Sequence, residues 1–284
     1  MELDEYRRMY ELERTYWWHV GRLDLLRSLL DTWLSRKEGR LVLDFGCGTG
    51  TTLELLSRYG RVVGADESEV ALGYCRQGKS NPLRVNLVRI PREGRLPFRD
   101  GSFDLVTALD VLEHLQDDRS ALAELHRILA PGGVLVVFVP AYRFLWSEHD
   151  EALHHRRRYL ASSLHIRLNR AGFRVLKRTY AIAFSFPLVA CYRVVKGLIP
   201  SSEEPRTSYV TLPRAVNSLF AWLLKIEAVL VRWMNFPFGT SIAAVAIKEE
   251  RRYEGRRTDV SSPACVEPVA PMRGVAGESG QVAR

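Results

Sequence analysis

The stretch Leu41-Val-Leu-Asp-Phe-Gly-Cys-Gly-Thr-Gly50 decides the fold of this 284-residue chain. Its apolar start predicts a buried strand that ends at Asp44. Gly46, Gly48 and Gly50 follow at every second position, and glycine permits a sharp turn and a close approach of the backbone to a ligand. The residues after the turn predict a helix. A strand, a glycine turn and a helix N-terminus together predict a ligand-binding cradle whose N–H groups point outward.

The spacing within this stretch indicates which groups the ligand carries. A dinucleotide fingerprint requires G-x-G-x-x-G, whereas the third glycine here comes one residue early. Asp44 beside the turn would repel a pyrophosphate, but it would suit a ligand with an ammonium group, such as S-adenosylmethionine. A second apolar run ends at Asp66, about twenty residues past the turn, where a carboxylate can bind ribose hydroxyls. A strand and turn without any ligand stays as the alternative.

Three further segments extend the pattern: Leu-Pro-Phe-Arg-Asp-Gly-Ser-Phe-Asp at 96–104, Asp-Val-Leu-Glu-His-Leu at 110–115, and Leu-Ala-Pro-Gly-Gly-Val-Leu-Val-Val at 129–137. With the glycine turn, they resemble the class I S-adenosylmethionine-dependent methyltransferases of the small-molecule type (methyltransferase type 11/12-like). The resemblance implies an α/β, Rossmann-like fold: a seven-stranded, mostly parallel sheet with helices on both faces. It also implies an enzyme that uses S-adenosyl-L-methionine as its cofactor.

The resemblance also suggests which residues bind the cofactor, at the carboxyl ends of the strands. These are Asp44, Phe45, Gly46, Cys47, Gly48, Gly50, Asp66, Glu67, Glu93, Leu109 and His114. One departure concerns the acidic residue that often follows the third strand and reaches the adenine amino group. Arg92 occupies the matching position here, and Glu93 lies one residue further along.

Composition limits the environment and the partners. The formal net charge of +8 permits nucleic acid, an anionic membrane or an acidic substrate as a partner, although a solvated basic surface is the commoner explanation. The four cysteines are far apart and lack metal-like spacing, so neither a disulfide framework nor a metal is expected. The acidic start does not resemble a signal peptide. A cytoplasmic protein, with possible peripheral contact to a membrane, is the expectation.

The periodicity of apolar residues divides the chain into four parts. An N-terminal helical flap is predicted over 1–38, a Rossmann-like cofactor-binding domain over 39–180 and 239–248, an apolar helical insert over 181–238, and a disordered tail over 249–284. Within the core we predict strands at 41–45, 61–65, 84–89, 103–109, 133–139, 173–180 and 241–248, and helices at 50–59, 68–77, 118–129 and 162–171.

Two segments after the fifth strand are candidates for contact with the methyl acceptor. One is the pair His149-Asp150, and the other is the run His-His-Arg-Arg-Arg-Tyr at 154–159, which is similar to a segment of a subgroup of the family. His149 and His155 are the nominated catalytic residues, with Glu113 and His114 as further candidates for a base. The predicted substrate-binding residues are Tyr16, Trp17, Arg157, Arg158 and Tyr159.

The apolar insert leaves three functions to compare. Its two predicted helices, 187–199 and 213–234, carry too many polar residues to span a membrane, so they are either buried against the domain or lie on a membrane surface. A methyltransferase acting on a small-molecule or lipid-like acceptor is the preferred function. A nucleic-acid methyltransferase and a non-catalytic cofactor-binding protein are the alternatives, but no separate nucleic-acid module is visible, so no nucleic-acid partner is expected. The oligomeric state stays open.

Overall fold

A seven-stranded sheet forms the centre of the protein, in the strand order β3-β2-β1-β4-β5-β7-β6. The computed structural model describes residues 3–34, 37–77, 85–197 and 212–249. The strands are β1 Leu41–Phe45, β2 Arg61–Asp66, β3 Asn86–Arg89, β4 Phe103–Leu109, β5 Leu129–Pro140, β6 Phe173–Ala181 and β7 Ser241–Lys248. Strands β1 to β5 pair in parallel, and β7 lies antiparallel between β5 and β6. The predicted mostly parallel sheet is therefore confirmed.

Helices cover both faces of this sheet. They are α1 Leu3–Leu12, α2 Trp17–Trp33, α3 Leu53–Leu56, α4 Glu69–Gln77, α5 Asp118–Ile128, α6 Glu148–Ala152, α7 Ala161–Arg170, α8 Phe186–Gly197 and α9 Arg214–Leu230. Alternate side chains of each strand point to opposite faces, so the central strands are apolar on both sides. One face packs on α5 and α7, and the other packs on α2, α3, α4 and α9.

Three element lengths differ clearly from the predictions, and one of them is α9, which was predicted over 213–234 and ends at Leu230. The helix predicted over 50–59 is α-helical only at Leu53–Leu56, because the N–H groups of Arg58 and Tyr59 donate to carbonyls three residues earlier and tighten the chain into a turn. Strand β5 begins at Leu129, earlier than predicted, because Leu129 pairs with Phe103 ahead of an irregularity in the register with β4. Residues 129–132, which precede the predicted strand, thus lie within β5.

The N-terminal helix α2 and the late helix α9 pack against one another on the same face of the sheet. Gly21 permits their close approach, since a Cβ at this position would lie 2.1 Å from the side chain of Leu224. The Asn217 side chain accepts from the Trp17 N–H at 3.0 Å and donates to the Thr15 carbonyl at 2.8 Å. Apolar packing and polar contacts therefore join the predicted flap to the predicted insert.

The remaining sequence predictions meet the structure only in part. Helices α8 and α9 lie within the predicted insert, while the polar linker between them and residues 250–284 of the predicted tail fall outside the described residues. The division into four parts stays a prediction. Among the described helices, none is both long enough and apolar enough to cross a membrane.

Candidate active site

The glycine turn is held against the end of β2 by backbone hydrogen bonds. The N–H groups of Gly46 and Cys47 both donate to the Ala65 carbonyl, at 2.8 and 3.0 Å. Gly46 has a φ of +75°, and a Cβ there would lie 2.4 Å from the Val111 side chain. Gly48 has a φ of +54°, which also favours glycine. The turn therefore requires glycine for both its conformation and its packing.

Two buried aspartates flank this turn, as the sequence predicts. Asp44 accepts hydrogen bonds from the hydroxyls of Thr52 and Thr107, the latter at 2.7 Å, and burial raises the pKa of its carboxyl. Asp66 accepts from the N–H groups of Gly48 and Ser68, each at 2.9 Å. Burial also raises the pKa of Asp66, although these hydrogen bonds oppose the shift. Both carboxylates are thereby fixed at the ends of adjacent strands.

A cavity of about 400 Å³ extends from this turn along the carboxyl ends of the strands. The predicted site residues that line it are Tyr16, Trp17, Asp44, Phe45, Gly46, Cys47, Gly48, Asp66, Glu67, Leu109, His114, His149, His155 and Arg158. Two predicted cofactor-binding residues do not line it. Gly50 packs against Cys75 and Leu53, and the Glu93 carboxylate accepts from the Gln116 N–H at 2.6 Å. Arg92 lines the cavity instead of Glu93.

Two charged side chains that were not predicted come to the cavity region from the N-terminal segment, Glu13 from the turn after α1 and Arg22 from α2. Glu13 is buried and accepts from the hydroxyls of Thr49, within the glycine turn, and Thr51, just after it. Arg22 forms an ion pair with Asp110 and lies 4.7 Å from the ring centroid of Trp18. In the sequence, Glu13 and Arg22 stand out only as charged residues close to aromatic or apolar ones. That pattern is too common to identify a functional site.

The two nominated catalytic histidines lie near one another. His155 Nδ1 lies 2.9 Å from Asp150 Oδ1, and the ring centroids of His149 and His155 are 6.4 Å apart. Burial lowers the pKa of His149 to about 4, so this imidazole is neutral at pH 7. Burial alone would raise the pKa of Asp150, but hydrogen bonds from His155 and Arg158 hold it well below its usual range. The Asp150 carboxylate therefore orients the His155 ring.

The arginines of the 154–159 run make contacts within the protein, and their predicted contact with a substrate stays a prediction. Arg158 lines the cavity, but it donates to both oxygens of Asp150, at 2.7 and 3.0 Å, and to the Ala141 carbonyl. Arg157 does not line the cavity; it donates to backbone carbonyls and pairs with Asp118 at 3.2 Å. Tyr159 is buried in the core and donates to Asp118 at 2.8 Å. These three side chains hold the segment in place, and their charges and hydroxyl are already engaged.

Glu113 lies behind the cavity wall and is fully buried. Neither of its carboxylate oxygens has a hydrogen-bond partner on another described residue. Burial, followed by the nearby charge of Asp110, raises the pKa of Glu113 well above its usual range. Its neighbour His114 lines the cavity, and burial lowers the pKa of that imidazole to about 3.

Two unusual backbone conformations also occur at the cavity. Asp110 and His154 both line it, and their φ values are +56° and +55°. Residues with side chains rarely adopt this left-handed region, and such strain is concentrated at functional sites. The ends of β4 and the 154–159 run are thus held in conformations that serve the cavity.

Comparison with known proteins agrees with this geometry. Residues 43–137 match the family described as a methyltransferase domain. A protein of Mycolicibacterium smegmatis named a probable S-adenosylmethionine-dependent methyltransferase is 35% identical over 143 residues, which are 49% of this chain and 54% of that protein. The ubiquinone biosynthesis O-methyltransferase of Pseudomonas aeruginosa is 33% identical over 113 residues, covering 38% of this chain and 49% of that protein. The chain thus spans about half the length of these relatives.

A solved structure supports the fold independently. The S-adenosylmethionine-dependent methyltransferase of Mesorhizobium loti superposes with a TM-score of 0.51 at 16% identity, covering 77% of this chain and 95% of that chain. At this identity the likeness concerns the fold alone. The sheet order, the glycine turn between two buried aspartates and the matching family together lead to one conclusion: residues 43–137 form a methyltransferase domain, and the protein has the class I S-adenosylmethionine-dependent methyltransferase fold.

Proposed function

We propose that this protein transfers a methyl group from S-adenosyl-L-methionine to a small acceptor molecule with an apolar part. The observation that carries the proposal is the continuity of one cavity from the glycine turn and Asp66 to His149, His155 and helix α8. Catalysis of methyl transfer depends mainly on alignment of two ligands, and a single cavity can hold both.

The residues at the turn fit the cofactor. Gly46 and Gly48 leave the backbone without side chains where a ligand approaches, and Asp66 stands at the end of β2, where ribose hydroxyls are bound in related sheets. The Arg22 guanidinium and the Trp17 indole supply further donors, since the Arg22 Nε and Trp17 Nε1 have no partner among the described residues. When bound, the cofactor supplies a methyl group that is already activated for transfer.

The other end of the cavity indicates the class of acceptor. Leu145, Leu153 and Val189 give it an apolar lining, and Arg193 from α8 adds a positive charge. An amphipathic small molecule or lipid with an anionic or polar group would match this lining. His149 and His155 are the candidates to take a proton from such an acceptor.

The position of the N-terminal helices favours a small molecule over nucleic acid. Side chains of α1 and α2, including Tyr6, Met9 and Trp18, line the cavity together with the glycine turn. A base inserted from a polynucleotide would have to bring its backbone past these helices. Nucleic-acid methylation and non-catalytic cofactor binding are the alternative functions if the proposal fails its tests.

Cofactor binding is tested first, by calorimetry with S-adenosylhomocysteine. Gly48→Val places a side chain at a left-handed position and toward Met9, and Asp66→Ala removes the expected bond to ribose. Each variant should bind at least about tenfold more weakly, which corresponds to about 1.4 kcal/mol. Gly73→Val is the matched control, because a Cβ at Gly73 in α4 meets no atom within 4 Å. Unchanged affinity in both folded site variants would overturn the assignment.

We further propose that the outer face of α9 contacts an anionic membrane surface. Leu219, Trp222, Ile226 and Val229 of α9 recur at intervals of three and four residues and are exposed, and Trp233, in the turn just after the helix, is exposed by 84%. Exposed Lys225 lies on the same helix, and aromatic and basic side chains are typical of helices that bind at a bilayer interface. Such a contact would place the cavity, which α8 lines, close to a lipid-like acceptor.

A further inference from the structure

Three side chains with metal-binding groups converge where β4 and the 154–159 run meet the cavity. One donor atom each of Glu113, His114 and His155 lies within 4.8 Å of the other two. Glu113 and His114 are adjacent in the turn after β4, and the Arg156 N–H donates to the Glu113 carbonyl at 2.8 Å, which fixes the second segment against the first. The cluster is therefore built by two segments about forty residues apart in sequence, joined by the backbone.

The Glu113 carboxylate is the group in this cluster that needs a ligand. It is fully buried, it is not hydrogen-bonded to another described residue, and Asp110 adds a negative charge nearby. Burying a carboxylate without a partner costs several kcal/mol, so native proteins compensate it with a proton, a cationic group or a metal ion. Arg158 is near enough to act on its charge, but the side-chain hydrogen bonds of Arg158 go to Asp150 and to the Ala141 carbonyl.

The surroundings of His155 match those of a metal-binding histidine. Its Nδ1 is hydrogen-bonded to the Asp150 carboxylate, which Arg158 and the Ser147 N–H hold in place. A ligating imidazole characteristically donates one ring N–H to a carboxylate, which fixes the tautomer and leaves the other nitrogen to bind the ion. Asp150 therefore acts as a positioning residue for His155.

We propose that Glu113, His114 and His155 form a binding site for a divalent transition-metal ion. Two imidazoles and one carboxylate favour Zn²⁺, Mn²⁺, Fe²⁺ or Co²⁺ over Mg²⁺ and Ca²⁺, which prefer oxygen ligands. Donors about 2.0 to 2.2 Å from one ion lie at most about 4.4 Å apart, so small side-chain rotations close the set. Because His114 and His155 line the cavity, the open coordination position faces it.

A metal ion at this site would give His149 and His155 different roles. His155 serves as a metal ligand, and His149, whose ring centroid lies 6.4 Å from that of His155, remains the candidate proton acceptor. Sequence reasoning did not find this site, because the cysteine pattern predicted no metal and the three ligands are not spaced as a motif. The metal site itself stands on the geometry alone; only its use on an acceptor rests on the proposed function.

The test uses the full chain after removal of metal with a chelator. Titration with Co²⁺ should produce a visible d–d absorption band, and calorimetry with Zn²⁺ should give one ion per chain. Glu113→Gln, which keeps the side-chain shape, and His155→Ala should each weaken Zn²⁺ binding about tenfold or more. His165→Ala is the control, since His165 lies on α7 and bonds to Asn169 away from the cavity.

The outcomes separate this inference from the proposed function. Absence of the Co²⁺ band, or equal Zn²⁺ affinity in the parent, Glu113→Gln and His155→Ala proteins, overturns the metal site. Circular dichroism identifies a variant that fails to fold. If His155→Ala does not fold, the Zn²⁺ affinity of Glu113→Gln tests the metal site. S-adenosylhomocysteine is titrated into the same samples. If S-adenosylhomocysteine binds and the metal ion does not, only the metal site is overturned. If the metal ion binds and S-adenosylhomocysteine does not, the cofactor assignment is overturned.

Discussion

His19 illustrates how a single buried side chain links the cavity to stability. It lies on α2, and burial, followed by the charges of Arg22 and His149, lowers its pKa from 6.5 to about 3. Between these two values the unfolded chain binds a proton that the folded protein does not, so this residue makes stability fall as the pH is lowered. The loss amounts to about 1.4 kcal/mol per pH unit.

We predict that His19→Gln removes this acid sensitivity. Between pH 7 and pH 4.5, the variant should lose about 2 to 3 kcal/mol less unfolding free energy than the parent protein. Urea unfolding at both pH values measures the difference, with His165→Gln as the control from outside the cavity. Parallel loss of stability in His19→Gln and the parent would show that His19 does not carry the effect.

Residues that line the cavity were easiest to find from sequence where their neighbours in the chain form that part of the cavity. Asp44, Gly46, Gly48 and Asp66 act through a turn and two strand ends that are local, so their spacing alone placed them. Tyr159 was misplaced because its hydroxyl partner, Asp118, is 41 residues away in sequence. A run of titratable residues after a strand indicates that the segment lies near the cavity. Which of its side chains line the cavity depends on partners that are distant in sequence.

Gly21 decides how closely α2 and α9 pack. Its missing Cβ leaves room for Leu224, which is fully buried. Gly21→Ala would gain about 1 kcal/mol of helix propensity, but it would place a methyl group 2.1 Å from that leucine side chain. Overpacking of this kind costs about 1 to 3 kcal/mol, so we predict net destabilisation.

The same substitution in α4 provides the contrast. Gly73→Ala meets no atom within 4 Å and should gain up to about 1 kcal/mol from helix propensity. Differential scanning calorimetry should therefore show the melting temperature falling for Gly21→Ala and unchanged or rising for Gly73→Ala. Changes of the same sign in both variants would mean that Leu224 moves aside without cost.

The seven strands and most of the helices were predictable from sequence, but α6 and the packing of the elements were not. Alternation of apolar runs with helical segments gave the strands, because a parallel sheet is buried on both faces. For α9, apolar residues surround most of the helix, so periodicity could not separate the buried face that bears Leu224 and Ala228 from the exposed face that bears Trp222. That distinction comes from the contact with α2.

At the scale of the whole molecule, the exposed face of α9 and the net charge of +8 predict salt-sensitive membrane binding. The protein should co-sediment with vesicles that contain anionic lipid at low salt, and binding should weaken as added salt screens the charges. Replacing both Trp222 and Trp233 with alanine should reduce binding several-fold, because both indoles are exposed.

Ile166→Ala is the control for this experiment. Ile166 is also exposed, but it lies on α7, which packs on the opposite face of the sheet. Binding to neutral vesicles as strong as to anionic ones would contradict the electrostatic part of the proposal. Failure to bind anionic vesicles at low salt would leave α9 without a membrane role.

The contact between α2 and α9 also determines when a newly made chain can complete its fold. The Trp17 N–H meets its acceptor on Asn217 only 200 residues later. At about 5 to 20 residues per second, a ribosome needs about 10 to 40 s to make that intervening segment. Until then the apolar face of α2 has no cover from α9, and the nascent protein depends on chaperones or on a slow final docking step. Premature release of an unfinished chain would thus yield an aggregation-prone fragment rather than a weakly active enzyme.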